Sequence, residues 1–253
     1  MIQKMAPLMK LKKIVLPVLA CLLPLSAATA SAAELQRADV EQIVREYMVS
    51  HPELLIEMSN ALRAKQEAEQ SKADVDLIQQ HSKALFQQAN DPVGGNAKGT
   101  QTIVEFLDYN CGYCKRATPA MHELLASDPS IRVIYKEFPI LSETSYLAAK
   151  AALAVQSLHP EQFVAFHNAL MERQGSLKDE NDVAAIAKQV KLNWPAVQKK
   201  MQDPAIEQQL KANHQLAQQL GLTGTPAFVI GDTILRGAPR TADDLRALLK
   251  PKS

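Results

Sequence analysis

Two cysteines separated by two residues are the feature of this chain best suited to chemistry. They stand in Cys111-Gly112-Tyr113-Cys114, and the third cysteine, Cys21, lies far upstream. A disulfide across so short a spacer adds little stability, because the stabilisation grows with the length of the closed loop. A zinc site needs further ligands, and the sequence has no second CxxC and no closely spaced histidine pair. The spacing therefore predicts a redox pair, with a structural bridge or a metal site as the alternatives.

The segments on either side of the pair indicate which thiol reacts. Residues 102–107 are β-branched and aromatic, as in a strand, and residues 115–126 have the apolar spacing of a helix. The N-terminus of a helix favours a thiolate through its unpaired N–H groups and its dipole. We therefore expect Cys111 to be the nucleophile, and Cys114, one turn further in, to resolve the mixed disulfide.

Charged residues near the pair have two interpretations each. Glu105 is either an outward-facing strand residue or a partly buried acid of raised pKa that exchanges a proton with Cys114. Lys115 and Arg116 either help to hold a thiolate or are ordinary solvated helix residues. His122 lies more than two helical turns past the pair, and we expect it at the surface.

A proline stands directly before a predicted strand, in Thr223-Gly224-Thr225-Pro226-Ala227. Taken alone, Pro226 would begin the strand with a trans bond, because only about 5–6% of X–Pro bonds in folded proteins are cis. Its occurrence together with the CxxC favours a cis bond.

Residues 1–33 have the order of a secretory signal: a lysine-rich start without acids, an apolar run over 14–25, and small residues up to 33. The apolar run is shorter than the roughly 20 residues of a membrane-spanning helix. Cleavage and export are predicted, with a retained anchor or a lipid at Cys21 as alternatives. The chain has 28 basic and 27 acidic residues, and four lysines lie in the leader, so the remainder is formally −3. Such a charge favours neither nucleic acid nor an anionic membrane as a partner.

The remaining chain is predicted to contain a helical segment and a domain. Residues 34–90 show helical apolar spacing, restart near Pro52, and are almost wholly polar over 64–76, as in an exposed connector. Pro, Gly-Gly and Asn over 91–96 indicate a break, so we predict a linker at 91–98 and a domain over 99–253. Within the domain, a βαβ unit is followed by a helical insertion at about 142–220, a hairpin over 227–235 and a last helix.

The run Val104-Glu105-Phe106-Leu107-Asp108-Tyr109-Asn110-Cys111-Gly112-Tyr113-Cys114-Lys115, with Gly224-Thr225-Pro226-Ala227-Phe228 after the insertion, resembles the bacterial DsbA-type thioredoxin-fold proteins. The resemblance covers roughly residues 99–250. It implies an α/β thioredoxin-like fold with a helical insertion, and a cis Pro226 facing the disulfide. It also implies that the Thr225 backbone pairs with an extended substrate and that Glu105 is the buried acid. No cofactor is expected.

Two departures from simple DsbA proteins stand out. The dipeptide Gly112-Tyr113 replaces the common Pro-His and, with Thr225 before the proline, is similar to DsbC-type isomerases. The missing histidine implies a less strongly oxidising pair than that of DsbA itself. The helical segment 34–90 resembles the extensions of dimeric or trimeric ScsC-like proteins.

The resemblance implies a periplasmic oxidoreductase that isomerises or introduces disulfides in cysteine-containing exported proteins. Gly112, Tyr113, Thr225 and Pro226 would contact the substrate. The expected partners are a DsbB- or DsbD-like membrane protein and further copies of the chain, as a homodimer or homotrimer. A dedicated DsbA-type oxidase, a surface or scaffold protein, and a Cu(I)-binding thiol protein are the alternatives.

Overall fold

The computed structural model describes residues 36–249, so the predicted signal segment, with Cys21, lies outside the described residues. The chain divides into two units, the first ending at Ile56 and the second beginning at Glu57. Across residues 36–249, none of the helices combines the length and the apolar character needed to span a membrane.

Helix α1 (Arg37–Ser50) belongs to the first unit and has no buried residue. The stripe predicted from its apolar spacing is exposed, and it consists of Val40, Ile43, Val44 and Tyr47. Helix α2 (Glu53–Gln80) begins just after Pro52, which confirms the predicted restart. The short helix α3 (Ser82–Phe86) follows.

Within the described part of the chain, five strands form one sheet in the order β1-β3-β2-β4-β5. The strands are β1 (Val93–Gly95), β2 (Gln101–Leu107), β3 (Ile131–Glu137), β4 (Ala227–Ile230) and β5 (Thr233–Arg236). Strands β2 and β3 are parallel and joined by α4 (Gly112–Ser127), whereas the other neighbours are antiparallel. The βαβ unit and the terminal hairpin thus form as predicted.

Strand β1 lies within the segment predicted as a linker, so that prediction was wrong over Val93–Gly95. It pairs with β3, and Gly95 has a positive φ of 68°. A Cβ atom at Gly95 would come within 2.7 Å of the Ile131 carbonyl oxygen. By composition these glycines indicate a break, but in the structure they allow the edge strand β1 to approach β3 closely.

The insertion contains helices joined by short loops and no strand over 143–219, as predicted. It contains α5 (Glu143–Leu158), a 3₁₀ turn (Pro160–Gln162), α6 (Phe163–Glu172), α7 (Glu180–Gln189), α8 (Trp194–Lys200) and α9 (Pro204–Gln219). Helix α10 (Ala242–Leu249) closes the described chain. Alanine-rich α5 is buried along most of its length, which allows the other helices to pack closely around it.

The sheet separates two apolar clusters. One contains Tyr135 and Phe228 from the sheet together with α4 to α8, and it includes both cysteines. The other contains Phe106 and Ile134 with residues of α9, α3 and the last turns of α2. The second cluster extends to Ile78, so the tertiary contacts of the domain begin before the boundary predicted at residue 90.

Two ion pairs hold these preceding helices to the sheet. Asp74, in the segment predicted as an exposed connector, is buried and accepts two hydrogen bonds from Arg236 of β5, at 2.8 and 2.9 Å. On the same side, the buried Lys136 of β3 pairs with Asp91 and donates to the Ala84 carbonyl at 2.7 Å. The connector is therefore exposed over 64–70, whereas Asp74 anchors its last part to the sheet.

Candidate active site

The two thiols lie at the start of α4, and both are free. Cys111 is the N-cap residue; its N–H donates to the Asp108 carbonyl at 3.0 Å, and its carbonyl accepts from the Lys115 N–H at 3.1 Å. Cys114 is fully buried, whereas Cys111 retains 6% exposure. The geometry places Cys111 as the outer sulfur, as expected.

The Thr-Pro turn lies against the outer sulfur. The Thr225–Pro226 bond is cis, as predicted, and the Cys111 thiol donates to the Thr225 carbonyl with Sγ and O 3.1 Å apart. The Pro226 carbonyl accepts a hydrogen bond from the Gly237 N–H at 3.0 Å, which ties the turn to the end of β5. Folding thus brings together two motifs separated by more than a hundred residues.

The two thiols have opposite pKa shifts. The hydrogen bond from the Cys114 thiol lowers the pKa of Cys111 to about 5 against the effect of burial. The Thr225 side chain and the Cys114 and Tyr113 N–H groups contribute to the same lowering. Burial raises the pKa of Cys114 far above its ordinary value, and the charges of Cys111 and Glu105 raise it further. At neutral pH Cys111 is therefore a thiolate, and Cys114 keeps its proton.

Glu105 lies in the middle of β2, opposite Tyr135 on one neighbouring strand and Phe228 on the other. It is buried, so the outward-facing alternative is wrong. Within residues 36–249 no hydrogen bond to its carboxyl group is found, and burial raises its pKa to about 8. A carboxyl group that is mostly protonated at pH 7 and interacts electrostatically with Cys114 is suited to proton exchange with that thiol.

The structure distinguishes the interpretations left open for Lys115 and Arg116, the second of which is an exposed helix residue. Lys115 donates to the carbonyls of Arg173 and Gly175, at 2.6 and 2.8 Å, and so anchors the loop after α6 rather than holding a thiolate. The Arg116 guanidinium stacks on the Tyr113 ring, 3.9 Å from its centroid. His122 is half-buried and lies 3.1 Å from Asn168, so the expectation of a surface histidine was wrong.

Two residues of the turn before Cys111 position the site, although the sequence motif assigned them no role. The buried Asp108 carboxylate accepts hydrogen bonds from the N–H groups of Asn110, Ile140 and Leu141, at 2.8 to 3.0 Å. The Asn110 side chain donates to Ser142 and Thr144 and accepts from the Leu177 N–H. These contacts connect the active-site turn to the insertion.

A third group missed by sequence reasoning lies beneath the turn. The Tyr109 hydroxyl is 2.8 Å from Glu137 Oε1 and 3.1 Å from His167 Nδ1. All three side chains are buried. The available signal was an acid at the end of an apolar strand and a histidine on an apolar helix, and neither pattern indicates a contact between them.

A groove of about 670 Å³ opens beside Cys111, bordered by Tyr113, Arg116, Thr225 and residues 237–240. Tyr113 is 61% exposed, and a side chain at Gly112 would meet only the end of Arg116. The groove leaves room for a peptide next to the outer sulfur. Among the described residues, no three His, Cys, Asp or Glu side chains are grouped so that they could hold a metal ion.

A strand–CxxC–helix unit with a cis proline at the outer sulfur is the arrangement of thioredoxin-fold thiol-disulfide oxidoreductases. Residues 102–249 match the DSBA-like thioredoxin domain, and the chain belongs to this family. Residues 36–69 match a second family, the copper resistance protein ScsC N-terminal domain. The protein is thus an oxidoreductase of the DsbA/ScsC type.

Solved structures agree with this assignment. A thioredoxin-like oxidoreductase from Silicibacter pomeroyi is 40% identical, covers 66% of this chain and 94% of its own, and superposes with a TM-score of 0.63. The catalytic domain of Proteus mirabilis ScsC is 32% identical, with coverages of 69% and 96% and a TM-score of 0.63. A periplasmic thioredoxin-like protein from Salmonella enterica serovar Typhimurium is also 32% identical, with coverages of 66% and 92% and a TM-score of 0.60.

Curated relatives match over shorter stretches or at lower identity. The chain spans only 21% of the length of a Na(+)/H(+) antiporter NhaA from Salinispora tropica, at 26% identity over 55% of this chain. The thiol:disulfide interchange protein DsbA of Bordetella parapertussis is 25% identical over 64% of this chain and 78% of its own length.

Proposed function

We propose that this protein is a periplasmic thiol-disulfide oxidoreductase that uses Cys111 and Cys114 to isomerise or introduce disulfides in exported proteins. The observation that supports this most directly is the position of Cys111 Sγ, at the N-terminus of α4 and 3.1 Å from the Thr225 carbonyl. An extended substrate that pairs with the Thr225 backbone would present its sulfur to Cys111. The order of charged, apolar and small residues over 1–33 and the similarity to a periplasmic protein support the location.

Isomerisation begins with the reduced pair. The Cys111 thiolate attacks a substrate disulfide, so that a Cys111–substrate bond forms and one substrate thiolate leaves. That thiolate attacks a second substrate disulfide, and the thiolate released there attacks the sulfur bonded to Cys111. Cys111 leaves as a thiolate again, and no net oxidation occurs. Gly112 and Tyr113 border the approach, while Pro226 orients the substrate beside the sulfur.

Oxidation uses the same atoms in a different order. A substrate thiolate attacks Cys111 of the oxidised pair, the Cys111–Cys114 bond breaks, and Cys114 leaves with the electron pair. Glu105, protonated because its pKa is about 8, gives its proton to the Cys114 thiolate. A second substrate thiolate then releases Cys111. The substrate loses two electrons and the pair gains them, so a DsbB-like membrane protein would reoxidise the pair, whereas a DsbD-like one would keep an isomerase reduced.

Two features favour the isomerase over a dedicated oxidase. The pair has Gly112-Tyr113 in place of the Pro-His dipeptide, and the Cys111 pKa of about 5 lies above the roughly 3.5 of DsbA. A less stabilised thiolate makes the pair less oxidising. The second feature is the match of residues 36–69 to the ScsC N-terminal domain, beside the exposed stripe of α1. We propose that this segment assembles the chain into a homodimer or homotrimer with active sites that face a shared cleft.

Two measurements distinguish an isomerase from a dedicated oxidase. The first is the reduction potential of the Cys111–Cys114 pair, obtained by equilibration with glutathione. The second is the refolding of a substrate with scrambled disulfides. We expect a value near the roughly −180 mV of protein disulfide isomerase, with unscrambling of the substrate. A truncation that begins at Gln70 keeps Asp74 and Ile78 in the core and should lose the unscrambling while keeping the potential. A value near −120 mV without unscrambling would identify a DsbA-type oxidase.

A second candidate function is capture of Cu(I), because residues 36–69 match a family described as a copper resistance protein and the two free thiols are soft ligands. Titration of the reduced protein with Cu(I) against a competing chelator tests it. Tight binding that is lost in Cys111→Ser would support this function, and its absence would leave the oxidoreductase alone.

A further inference from the structure

Tyr109, Glu137 and His167 form a continuous hydrogen-bonded chain in the same buried cluster as the two thiols. The Tyr109 hydroxyl bridges the other two side chains, at 2.8 Å from Glu137 Oε1 and 3.1 Å from His167 Nδ1. The His167 ring also lies against Tyr135, with centroids 4.3 Å apart. These contacts hold the three groups in one arrangement below the active-site turn.

The three hydrogen-bonded side chains lie on the same face of the sheet as Glu105. In the parallel pairing of β2 and β3, Glu105 is opposite Tyr135 and Leu107 is opposite Glu137, so all four side chains project from one face. Strand spacing and rise place the Cα atoms of Glu105 and Glu137 roughly 8 Å apart, within reach of two extended glutamate side chains. The charge of Glu105 raises the pKa of both Glu137 and Tyr109, as expected at such a separation.

The two carboxyl oxygens of Glu137 differ in their hydrogen bonding. Its Oε1 accepts from Tyr109, whereas the buried Oε2 has no hydrogen-bond partner among residues 36–249. An ionised carboxylate with an unpaired oxygen is costly in an apolar interior, so the group favours a bound proton. Burial, Asp108 and Glu105 all raise the pKa of Glu137, and only the Tyr109 hydrogen bond opposes them.

His167 lies at the other end of this hydrogen-bonded series, opposite Glu137. Burial and the nearby His122 of α4 lower its pKa to about 3, so the ring is neutral and has one donor and one acceptor nitrogen. A proton that arrives at Nε2 can be matched by one that leaves Nδ1 for the Tyr109 oxygen, while the Tyr109 proton passes to Glu137. One proton enters at the histidine and one appears on the carboxyl group. The half-buried His122 of α4 interacts electrostatically with the His167 ring.

A proton route is needed because Glu105 is buried and loads or unloads one proton whenever Cys114 reacts. We propose that His167, Tyr109 and Glu137 form a relay that carries protons between the His122 side of α4 and Glu105. In the last step the side chains of Glu137 and Glu105 move into hydrogen-bond contact, and Glu137 Oε2 exchanges the proton. The inference rests on the proposed use of Glu105 and the cysteine pair. Glu137, Tyr109 and His167 do not touch the reacting sulfurs, so they act through Glu105.

The test separates the step that uses Cys114 from the step that uses only Cys111. In the full mature chain, Cys111 is first joined to glutathione, and the release of glutathione by Cys114 is then followed by quenched flow between pH 5 and 9. The pH dependence of Cys111 alkylation by iodoacetamide reports its thiolate separately. The variants are Glu137→Gln and Tyr109→Phe, which preserve shape, and the control is Glu123→Gln on the exposed side of α4.

We expect both variants to slow glutathione release roughly tenfold and to flatten its pH profile, a smaller loss than the roughly 10²–10⁴-fold contributed by a directly placed acid or base. The alkylation midpoint near pH 5 should stay unchanged, as should both readouts in the control. If Glu137→Gln releases glutathione at the wild-type rate and with the wild-type pH profile, the relay is refuted. This outcome is decisive even when Tyr109→Phe does not fold. A parallel shift of the alkylation midpoint in the variants would also refute the relay, because such a shift indicates a structural effect on Cys111. Failure of the wild-type chain to release glutathione through Cys114 would instead refute the proposed function.

Discussion

At the residue scale, Thr225 has a property that the cysteine motif does not reveal. Its hydroxyl is buried without a hydrogen-bond partner among residues 36–249, yet it helps to lower the pKa of Cys111. The Cys111 thiol donates to the Thr225 carbonyl, and this bond is lost when the thiol ionises. The hydroxyl is then available as a donor to the thiolate.

We predict that Thr225→Val raises the Cys111 pKa from about 5 by about one unit, equivalent to about 1.4 kcal/mol, because the thiolate loses one donor. Ultraviolet absorbance of the thiolate, titrated against pH in the reduced protein, measures this shift. Thr223→Val, at an exposed position of the same turn, should leave the midpoint unchanged. An unchanged midpoint in Thr225→Val would show that the hydroxyl does not reach the sulfur.

Glu105 should make the stability of the oxidised protein depend on pH. Its pKa rises from an ordinary 4.5 to about 8 on folding. Between these values the unfolded chain has lost the proton and the folded chain keeps it, so the free energy of unfolding falls as pH rises. The slope attributable to this residue is at most about 1.4 kcal/mol per pH unit. The thiolate of Cys111 acts in the opposite direction, but only in the reduced protein.

The prediction is that Glu105→Gln removes this decline between pH 5 and 8 in the oxidised protein. Urea unfolding of wild type and variant at several pH values gives the difference directly. Glu123→Gln, exposed on α4, should retain the wild-type slope. Parallel curves for Glu105→Gln and wild type would mean that Glu105 is ionised in the folded protein.

At the scale of elements, α2 is connected through the end of β5 to the cis-proline turn. Burial alone would raise the pKa of Asp74, but hydrogen bonds from Arg236 and Gln70 outweigh it and hold that pKa below its ordinary value. Arg236 ends β5, and the next residue, Gly237, donates to the Pro226 carbonyl. The ion pair thus links a helix outside the thioredoxin-like domain to the cis-proline turn.

We predict that Asp74→Asn destabilises the protein by about 1.5–3 kcal/mol, the range for hydrogen bonds to charged groups. Hydrogen exchange should accelerate over residues 74–80 and at the Gly237 amide. Glu69→Gln is the matched control, since Glu69 is exposed and lies 4.0 Å from Lys65. Faster exchange in α2 with an unaltered Gly237 amide would show that the ion pair does not stabilise the turn.

At the scale of the whole molecule, the exposed stripe of α1 bears on assembly. Four apolar side chains recur on one side of a helix that buries none of its residues. Such a stripe is typical of a helix that packs against another copy or partner. In the proposed homodimer or homotrimer, this stripe would be buried against a second copy of the chain.

The expected result is that the mature chain sediments as a dimer or trimer and that Ile43→Glu converts it to a monomer, because a buried charge is costly at an apolar interface. Ala38→Glu, away from the stripe by helical periodicity, should keep the assembly. Analytical ultracentrifugation at several concentrations distinguishes these states. A monomeric wild-type chain would refute assembly through α1.

Much of the site follows from local sequence. A strand, a CxxC and an apolar helix predict a thiol at a helix N-terminus, because each element is determined by short-range periodicity and propensity. The cis bond at Pro226 is indicated only by its occurrence together with the CxxC and by the family resemblance. The helical insertion and the terminal hairpin, in contrast, follow from local patterns. These features depend on residues close together in the chain.

Long-range packing determines which distant residues meet. Glu137 and His167 looked like ordinary core positions, yet the pairing of β2 with β3 and the packing of α6 bring both to Tyr109. The register of the sheet also placed Glu105 inside, which periodicity left open. Strand β1 and the Asp74–Arg236 pair arise from long-range contacts as well. Local patterns specify elements, whereas burial, and the pKa shifts that follow from it, depend on the neighbours supplied by the rest of the chain.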